Sequence, residues 1–482
     1  MSAKPSAFSP SVFGLLTVVA ALLAGCAVGP DYKPRPVTTP SGYRTGAVAD
    51  PAGSPAATAA DLPWWQIYTD PALAALLRDA LAANYDIALA ATRVEQARQA
   101  VAQARSGYYP TLDYSGAASR GRNQFAGNPS PSPLGATRDD ATAVLGASWE
   151  LDLWGRVRRL DEAARARYLA TEEARNAVVT TLVADVAQAW YELLELDAEL
   201  GIARKTRESF ERSYKLFDER LRGGVASTIE TARAAAAVAQ TAAAIPVLER
   251  EIILKENQIN LLLGRPPGPV ERQARLDALA APPALPAGLP ADLLARRPDL
   301  RGTEQNLRAA NADIGVAIAE YYPRLNLTGA LGRVSPDLSD FTHGSGNLWS
   351  ILGGLTGPLF QGGRIKAGVA AARARWEEAR LTHEQAVLNA LNEVSEALVS
   401  RDKIALSRAE QDRRVAALEK AVGVAFDRYD AGRASYYEVL EAQQQLYPAE
   451  NDAVRARRDQ YLALVRLYRS LGGGWQPEAA AP

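Results

Sequence analysis

The sequence has very few residues of the types that build disulfides and metal sites. Its 482 residues include one cysteine, one methionine and two histidines. A single cysteine permits no internal disulfide and no cysteine-rich zinc site, and the separation of His343 from His383 excludes an HExxH metal motif. A phosphate-binding GxxxxGK[ST] loop and a GxSxG nucleophile elbow are also missing. We therefore predict a protein that is not an enzyme, with no catalytic, cofactor-binding or metal-binding residues.

An excess of charge of either sign is missing as well. Lys and Arg number 54 against 55 Asp and Glu, which gives a formal net charge of −1 and argues against a nucleic-acid partner. Aromatic residues make up only 7% of the chain, whereas alanine is abundant. Because alanine has the highest helix propensity and a small side chain, this composition favours closely packed helices over a bulky aromatic core.

The N-terminal segment has the pattern of a bacterial secretion signal. Lys4 is followed by an uncharged apolar run, Val12 to Ala24, which is shorter than the roughly 20 residues that span a bilayer. The run ends in Leu23-Ala24-Gly25-Cys26, which holds the only cysteine of the chain and resembles a lipobox. An ordinary signal peptide with a chance cysteine near its cleavage site is the alternative.

A lipobox implies that Cys26 is the lipidation site and the first residue of the mature chain. The implied chemistry is a diacylglycerol thioether on Cys26, cleavage before it, and acylation of the new N-terminus. Two or more acyl chains anchor a protein stably, whereas one binds only marginally. The next residue is Ala27 rather than aspartate, which by resemblance to bacterial lipoproteins favours anchoring in the lipid of the cell outer membrane.

The chain contains two copies of one large unit. The stretch from Ala163 to Tyr168 recurs from Ala371 to Trp376, a spacing that we call the shorter offset. The shorter offset also relates three spaced residues of each half, namely Gly224, Ser227 and Glu230 in the first and Gly432, Ser435 and Glu438 in the second. A repeat of this length indicates a duplication rather than a solenoid, whose periods are about 20–50 residues.

Proline content separates the two copies. Eight of the 29 prolines lie from Pro266 to Pro298, whereas Val157–Ile245 and Leu359–Tyr447 contain none. Since proline interrupts helix interiors, the proline-free windows favour very long helices. We predict six segments: a signal peptide at 1–25, a lipidated N-terminal segment at 26–70, a first repeat at 71–264, a linker at 265–298, a second repeat at 299–472 and a tail at 473–482.

Each repeat is predicted to contain two amphipathic strands of about ten residues. After Pro323 the chain alternates, with Leu325, Leu327 and Leu331 on one face and Arg324, Asn326 and Thr328 on the other. Similar patterns follow Pro110, cover Leu145–Leu153 and, more weakly, cover Trp349–Leu359. This length and this alternation are typical of transmembrane barrel strands. Four strands of a soluble sheet are the alternative, which the predicted outer-membrane location disfavours.

The loops between the strands differ in length. Tyr108-Tyr109-Pro110-x-Leu112 recurs as Tyr321-Tyr322-Pro323-x-Leu325, at a larger spacing that we call the longer offset. Because the spacing decreases from the longer to the shorter offset between these motifs and Ala163, the first copy is expected to carry a longer loop between about 121 and 141.

Long helical hairpins are predicted to follow the strands. Val157 to Arg222 is about 66 residues, or about 100 Å at 1.5 Å per residue, and its apolar residues recur at coiled-coil spacings. A turn at Gly223-Gly224 and a capping box, Ser227-x-x-Glu230, begin the next helix. The second copy repeats this arrangement, so each repeat reads as helix, two strands and helical hairpin.

Four membrane strands cannot form a closed barrel by themselves. An open edge in lipid would leave unpaired backbone groups that cost several kcal/mol each. Two chains would supply eight strands, whose interior the side chains fill, whereas three would supply twelve and leave room for an aqueous lumen. The geometry therefore favours a trimer.

Short motifs in a fixed order then resemble a known family over almost the whole mature chain. They are Cys26-Ala-Val-Gly-Pro-Asp-Tyr32, Leu62-Pro-Trp-Trp65, Asp70-Pro71-x-Leu73, Trp149-Glu-Leu-Asp-Leu-Trp-Gly-Arg156, Arg296-Arg-Pro-Asp-Leu300, Ala310-Asn-Ala-Asp-Ile-Gly315 and Pro358-Leu359-Phe360-x-x-Gly363-Arg364. The sequence resembles the outer membrane efflux factors, the TolC-like channel proteins, in the lipoprotein branch that includes OprM- and NodT-like proteins.

This resemblance implies a membrane α+β fold and a transport function. The implied architecture is a trimeric 12-stranded outer-membrane β-barrel continued by a long α-helical coiled-coil barrel in the periplasm. The implied function is the passive exit duct of a tripartite efflux pump, of the kind associated with multidrug resistance. Its implied partners are a periplasmic adaptor (a membrane fusion protein) and an inner-membrane transporter of the resistance–nodulation–division (RND) class.

The resemblance also implies a periplasmic gate at the tip of the second hairpin. The family motif matches Tyr429-x-x-Gly432-x-x-Ser435-x-x-Glu438-Val-Leu-Glu441. By position, Tyr437 is the apolar constriction, and Glu441 and Glu438 form carboxylate rings that attract cations. Arg433 is the candidate tether for Tyr429, because the position that is usually basic holds Ala434. The alternatives are a capping-box role for Glu438 and plain helix-surface exposure for Glu441.

Two other functions compete with the efflux duct. The outer-membrane component of a type I protein secretion system shares the fold, although the lipobox and the NodT-like motifs favour efflux. A lipid-anchored coiled-coil structural protein would account for the helices but not for four amphipathic strands.

Overall fold

A computed structural model describes residues 27–34, 39–40, 42–43, 62–122, 137–225, 227–283, 290, 292–335, 341–343 and 346–476. Cys26, the predicted signal peptide and residues 123–136 of the long first-copy loop lie outside this part of the chain. The chain forms two compact units. Unit 1 comprises Met1–Pro36, Val94–Thr171 and Thr303–His383, and unit 2 comprises Val37–Arg93, Glu172–Gly302 and Glu384–Pro482. Each unit takes segments from both repeats.

Helices and strands follow the predicted order. The elements are α1 Trp64–Ile67, α2 Pro71–Ala83, α3 Tyr85–Ser106, β1 Thr111–Arg122, β2 Thr137–Leu151, α4 Arg156–Arg222, α5 Thr228–Leu262, α6 Asp292–Arg296, α7 Pro298–Ala319, β3 Arg324–Ser335, β4 Asn347–Thr356, α8 Arg364–Asp430 and α9 Tyr436–Ser470. The prediction of four strands and two long helical hairpins in one chain is confirmed.

The duplication is visible in the element lengths. Helices α4 and α8 each have 67 residues, α5 and α9 each have 35, and α3 and α7 each have 22. Helices α5 and α9 run through Pro246 and Pro448, so they extend beyond the proline-free windows. An 18-residue window of α5 is apolar enough to cross a membrane by composition alone; its apolar character comes largely from alanine.

Unit 1 contains one antiparallel sheet with the strand order β1-β2-β3-β4. Leu145 lies opposite both Tyr114 and Leu331, and Leu331 lies opposite Trp349. Residues directly opposite each other share a face, so these four form an apolar face. The other face carries Asp113, Ser148, Thr328 and Glu150 on β1–β3, whereas on β4 it carries Leu352, which lies opposite Thr328. The predicted alternation is therefore confirmed for β1–β3, whereas β4, where the pattern was weaker, has leucines on both faces.

Strand ends differ from the prediction at two places. Strand β2 ends at Leu151 and β4 ends at Thr356, so Leu153 and Leu359 lie beyond the sheet. At the end of β2 the chain turns directly into α4, because the Asp152 carboxylate accepts hydrogen bonds from the backbone N–H groups of Val157 and Arg158, both at 3.0 Å.

Unit 2 is built on a large aromatic and aliphatic core. Trp64, Tyr68, Trp190 and Tyr468 are almost fully buried in it. The Trp190 indole donates to the Asp70 carboxylate at 2.9 Å, and the Tyr468 hydroxyl donates to the Leu62 carbonyl at 2.6 Å. These bonds satisfy the polar atoms of Trp190 and Tyr468, and they tie the Leu62–Asp70 region to the hairpins in one core.

Contacts in unit 2 repeat with the duplication. Asn84 and Arg297 each precede a 22-residue helix and are both buried. The Asn84 amide donates to the Leu262 carbonyl at 2.9 Å, and the Arg297 guanidinium donates to the Ser470 carbonyl at 3.1 Å. Both contacts satisfy a carbonyl at the C-terminus of the hairpin's return helix, so the two copies share tertiary contacts despite different side chains.

Candidate functional site

The tips of the two helical hairpins have the same backbone geometry. Helix α4 ends before Gly224, which has φ +73°, and α8 ends before Gly432, which has φ +69°. These left-handed conformations let Val225 and Arg433 donate backbone hydrogen bonds at 3.0 and 2.8 Å to carbonyls of the preceding helices. The chain thus reverses within a short turn and starts the return helix.

Capping at the return helices differs between the copies. In the first copy, the Ser227 backbone N–H donates to the Glu230 carboxylate at 2.8 Å, as expected for a capping box. In the second copy, the Ser435 side chain makes no capping hydrogen bond, and the Glu438 carboxylate lies 3.6 Å from the Arg428 guanidinium. Glu438 is therefore used for an ion pair between α8 and α9.

Tyr429 is held by an arginine from the other hairpin. The Arg220 guanidinium, near the end of α4, donates to the Tyr429 hydroxyl and lies 4.8 Å from the centre of its ring. Partial burial raises the pKa of Tyr429, although Arg220 opposes this shift, so the phenol stays protonated at neutral pH. The hydroxyl of Tyr429 is thus bound by Arg220, whereas Arg433 lies exposed on the turn.

A small aromatic cluster lies next to this contact. Phe217 and Tyr436 are almost fully buried, with ring centres 3.9 Å apart, and the Tyr429 ring lies 5.6 Å from Tyr436. The Tyr436 hydroxyl donates to Gln443 at 3.3 Å, and the Gln443 amide donates to the Ser209 hydroxyl at 3.0 Å. Burial raises the pKa of Tyr436 to about 12. This cluster ties α8 and α9 to α4 near the tips.

The remaining predicted gate residues face solvent in the single chain. Tyr437 is 55% exposed, and the Arg233 guanidinium lies 5.5 Å from the centre of its ring. Glu441 lies one turn further along α9 and is also exposed. The structure therefore brings Tyr429, Tyr437, Glu438 and Glu441 to one hairpin tip, and it adds Arg220, Arg428 and Tyr436. The only sequence signal for the two arginines was that the shorter offset relates them to each other.

A second candidate site lies in unit 1, where residues 27–34 form what we call the N-terminal strap. The Val28 backbone N–H donates to the Trp154 carbonyl at 3.0 Å, beside the turn that joins β2 to α4. The side chain of Arg159 is 5% exposed and lies 2.7 Å from Asp31. It also donates to the carbonyls of Val28 and Gly29, both at 3.3 Å.

Helix α7 contacts the same strap. The Asn311 amide donates to the Pro30 carbonyl at 2.8 Å. A Cβ atom built at Gly29, whose φ is +95°, would lie 2.5 Å from the Cα of Gly315, so the two backbones approach as closely as glycine permits. The strap therefore connects an α4 residue of the first copy to α7 of the second, and it begins one residue after Cys26.

The outer strands of the sheet form a third feature. In the described part of the chain, β1 pairs only with β2 and β4 pairs only with β3, which leaves one edge of each strand open. Large apolar side chains lie exposed on and beside both edge strands, including Leu112, Tyr114, Trp349, Ile351, Leu359 and Phe360. Among the described residues, no cluster of metal-ligating side chains occurs.

Comparison with known proteins gives a consistent result over most of the chain. The sequence model of a family described as outer membrane efflux protein matches residues 76–265 and 289–473. The solvent efflux pump outer membrane protein SrpC of Pseudomonas putida is 34% identical over 458 residues, which cover 94% of this chain and 96% of SrpC.

Two further relatives extend this comparison. The probable outer membrane lipoprotein SilC of Salmonella typhimurium is 31% identical over 457 residues, 94% of this chain and 97% of SilC. Among solved structures, the open state of the MtrE outer membrane channel of Neisseria gonorrhoeae superimposes with a TM-score of 0.84 at 28% identity. The match covers 95% of this chain and 100% of MtrE.

Proposed function

Since the chain belongs to the outer membrane efflux protein family, and is a non-enzymatic outer-membrane channel of an efflux pump, we propose that three copies form its passive exit duct. In this proposal, an inner-membrane RND transporter supplies the work and selects the cargo. A periplasmic adaptor joins that transporter to the hairpin tips. The cargo then leaves through the lumen of a 12-stranded barrel.

The four-stranded sheet carries the trimer proposal. Its apolar face suits lipid and its polar face suits water, but its two open edges cannot remain unpaired in a bilayer. Three chains supply twelve strands, a number that leaves an aqueous lumen. A coiled-coil stalk would have no need for such a sheet, which is why we favour a duct.

The strap supports lipid anchoring at Cys26. It holds Ala27 beside the β2–α4 turn, at the end of the strands, where the acyl chains of Cys26 would meet the membrane surface. SilC, which is described as a lipoprotein, is consistent with this anchoring.

The hairpin tips support a gate at the periplasmic end of the duct. Tyr437 and Glu441 are exposed on α9 within about one turn of each other, so three chains would place three tyrosines and three carboxylates around one axis. Carboxylate rings favour cations and repel one another. The Arg220–Tyr429 contact would hold the two hairpins together against that repulsion, and the Arg428–Glu438 ion pair would hold α8 to α9.

Single-channel recording in planar bilayers tests both duct and gate. We expect the reconstituted protein to conduct, and Glu441→Ala and Tyr437→Ala to raise the closed-state conductance; Glu441→Ala should also lower the cation selectivity. Glu410→Ala, at an exposed carboxylate on α8 far from the tip, is the matched control and should change neither. No conductance from the unaltered trimer would exclude the duct, and unchanged recordings from both tip variants would exclude this gate.

The type I secretion alternative is tested in cells. A strain that lacks this protein should accumulate small efflux substrates and regain their export when the gene is restored. Loss of a secreted protein, with unchanged accumulation of small substrates, would favour the secretion role.

A further inference from the structure

The duplication relates the two hairpins of the sheet residue by residue. Within β1–β2, Thr111 lies opposite Ser148, and within β3–β4, Arg324 lies opposite Thr356. The longer offset relates Thr111 to Arg324, and the shorter offset relates Ser148 to Thr356. The β1–β2 and β3–β4 hairpins therefore have the same register.

Strand β2 has two partners, whereas β4 has one in the described chain. Pairing of β2 with β1 stops at Ser148, but pairing with β3 continues to Leu151, opposite Leu325. Strand β4 ends at Thr356, the counterpart of Ser148. The residue that corresponds to Leu151 is Leu359, which lies outside the sheet and is fully exposed. Strand β4 thus stops where its single partner stops, and the segment that would continue it lacks a neighbour on its open side in the described chain.

We propose that β4 of one copy pairs with β1 of the next copy in the register that the β2–β3 pair already shows. Leu359 is the repeat counterpart of Leu151 by the shorter offset, and Leu112 is the repeat counterpart of Leu325 by the longer offset. Since Leu151 lies opposite Leu325 within one chain, Leu359 is placed opposite Leu112 of the adjacent chain. The same rule places Thr356 opposite Ser115, Leu355 opposite Gly116 and Gly354 opposite Ala117. This inference rests on the proposed assembly of three chains into one barrel.

The side chains fit this register. It joins the apolar face of β4 to the apolar face of the neighbouring β1, whereas a shift of one residue would place the apolar face of each strand beside the polar face of the other. Tyr114, which is 90% exposed, falls opposite Gly357, and Leu355 falls opposite Gly116. These two large side chains therefore meet glycines, and in the Tyr114–Gly357 pair an aromatic ring covers a bare backbone. The pairing extends β4 to Leu359 and covers the exposed edge of both strands.

Cysteine cross-linking tests the register directly, since the chain has only one native cysteine, Cys26. The variant Gly354→Cys/Ala117→Cys carries the proposed pair on small, polar-face positions. Cα atoms directly opposite each other in antiparallel strands are about 4.5–5.5 Å apart, within disulfide range, whereas diagonal neighbours are about 7–8 Å apart. Within one chain, strands β1 and β4 are separated by two others, so a disulfide between these residues must join two copies.

Two shifted variants are the matched controls: Gly354→Cys/Ser115→Cys and Gly354→Cys/Ser119→Cys. We expect oxidation to convert the proposed pair into reductant-sensitive species of two and three chains, at least fivefold more efficiently than either control. Faster cross-linking of a shifted pair would overturn the register. The absence of cross-linking in all variants would also overturn it, when native mass spectrometry shows that these variants are trimeric and recordings show that they conduct. Both results would leave the duct intact. Absence of a trimer in the unaltered protein would instead overturn the proposed assembly, and this register with it.

Discussion

Individual residues at the hairpin tips act across the two copies. Arg220 belongs to the first copy and contacts Tyr429 of the second, while the arginine at its repeat position, Arg428, pairs with Glu438. The arginine at this repeat position thus makes a different contact in each copy. The sequence indicated the tip and its acidic residues, but not Arg220, because a contact across 209 residues leaves no local pattern. The tether from Arg433 to Tyr429 stays a prediction from the resemblance, and Arg220 is the residue that the geometry favours.

Removing the Arg220–Tyr429 contact should loosen the closed tip. We expect Arg220→Ala and Tyr429→Phe each to raise the closed-state conductance several-fold, with a loss of about 1 kcal/mol of stability, since each removes one partly exposed hydrogen bond. Arg222→Ala is the control, because Arg222 is mostly exposed and pairs with Asp218. Equal conductance of Arg220→Ala and Arg222→Ala in planar bilayers would show that this contact does not restrain the tip.

At the scale of secondary-structure elements, much of the fold was predictable from the sequence. Proline-free windows and the capping boxes located the long helices, and alternating residues located the strands. The split of the first helix at Asn84 was not predicted, because Asn84 is buried and bonds to Leu262 through a tertiary contact. Similarly, α5 and α9 continue through internal prolines, whereas local helix propensity predicts that a helix ends before a proline.

The strap is an element without regular secondary structure, so its attachment depends on side chains. Arg159 makes three strap contacts through one buried guanidinium. We expect Arg159→Ala to release residues 27–34 and to cost about 1–3 kcal/mol, since it leaves the partly buried carbonyls of Val28 and Gly29 without their donor. Hydrogen exchange should become faster in the strap and remain slow in the middle of α4.

Arg167→Ala is the matched control for this variant, because Arg167 also lies on α4 in unit 1 but pairs with Asp313 on the surface. Its strap should exchange at the rate of the unaltered protein. Unchanged protection of residues 27–34 in Arg159→Ala would show that α7 alone holds the strap.

At the scale of the whole molecule, we predict that anchoring and assembly depend on Cys26 as well as on the sheet. We expect Cys26→Ser to abolish incorporation of labelled palmitate and to reduce the trimer in outer-membrane fractions by about tenfold. Ala27→Ser, one residue away, should keep both. Equal labelling of the Cys26→Ser protein would refute the lipidation site, whereas lost labelling with normal membrane recovery would show that the barrel holds itself in place.

The open edges of β1 and β4 also have a consequence for biogenesis. While it is unpaired, each edge presents a row of backbone donors and acceptors that can template pairing with any extended segment. In the proposed assembly, the monomer on its way through the periplasm is therefore the aggregation-prone species, and the trimer, which would have no open edge, is the protected one. Production of the protein should be limited less by the stability of the fold than by how fast three chains meet.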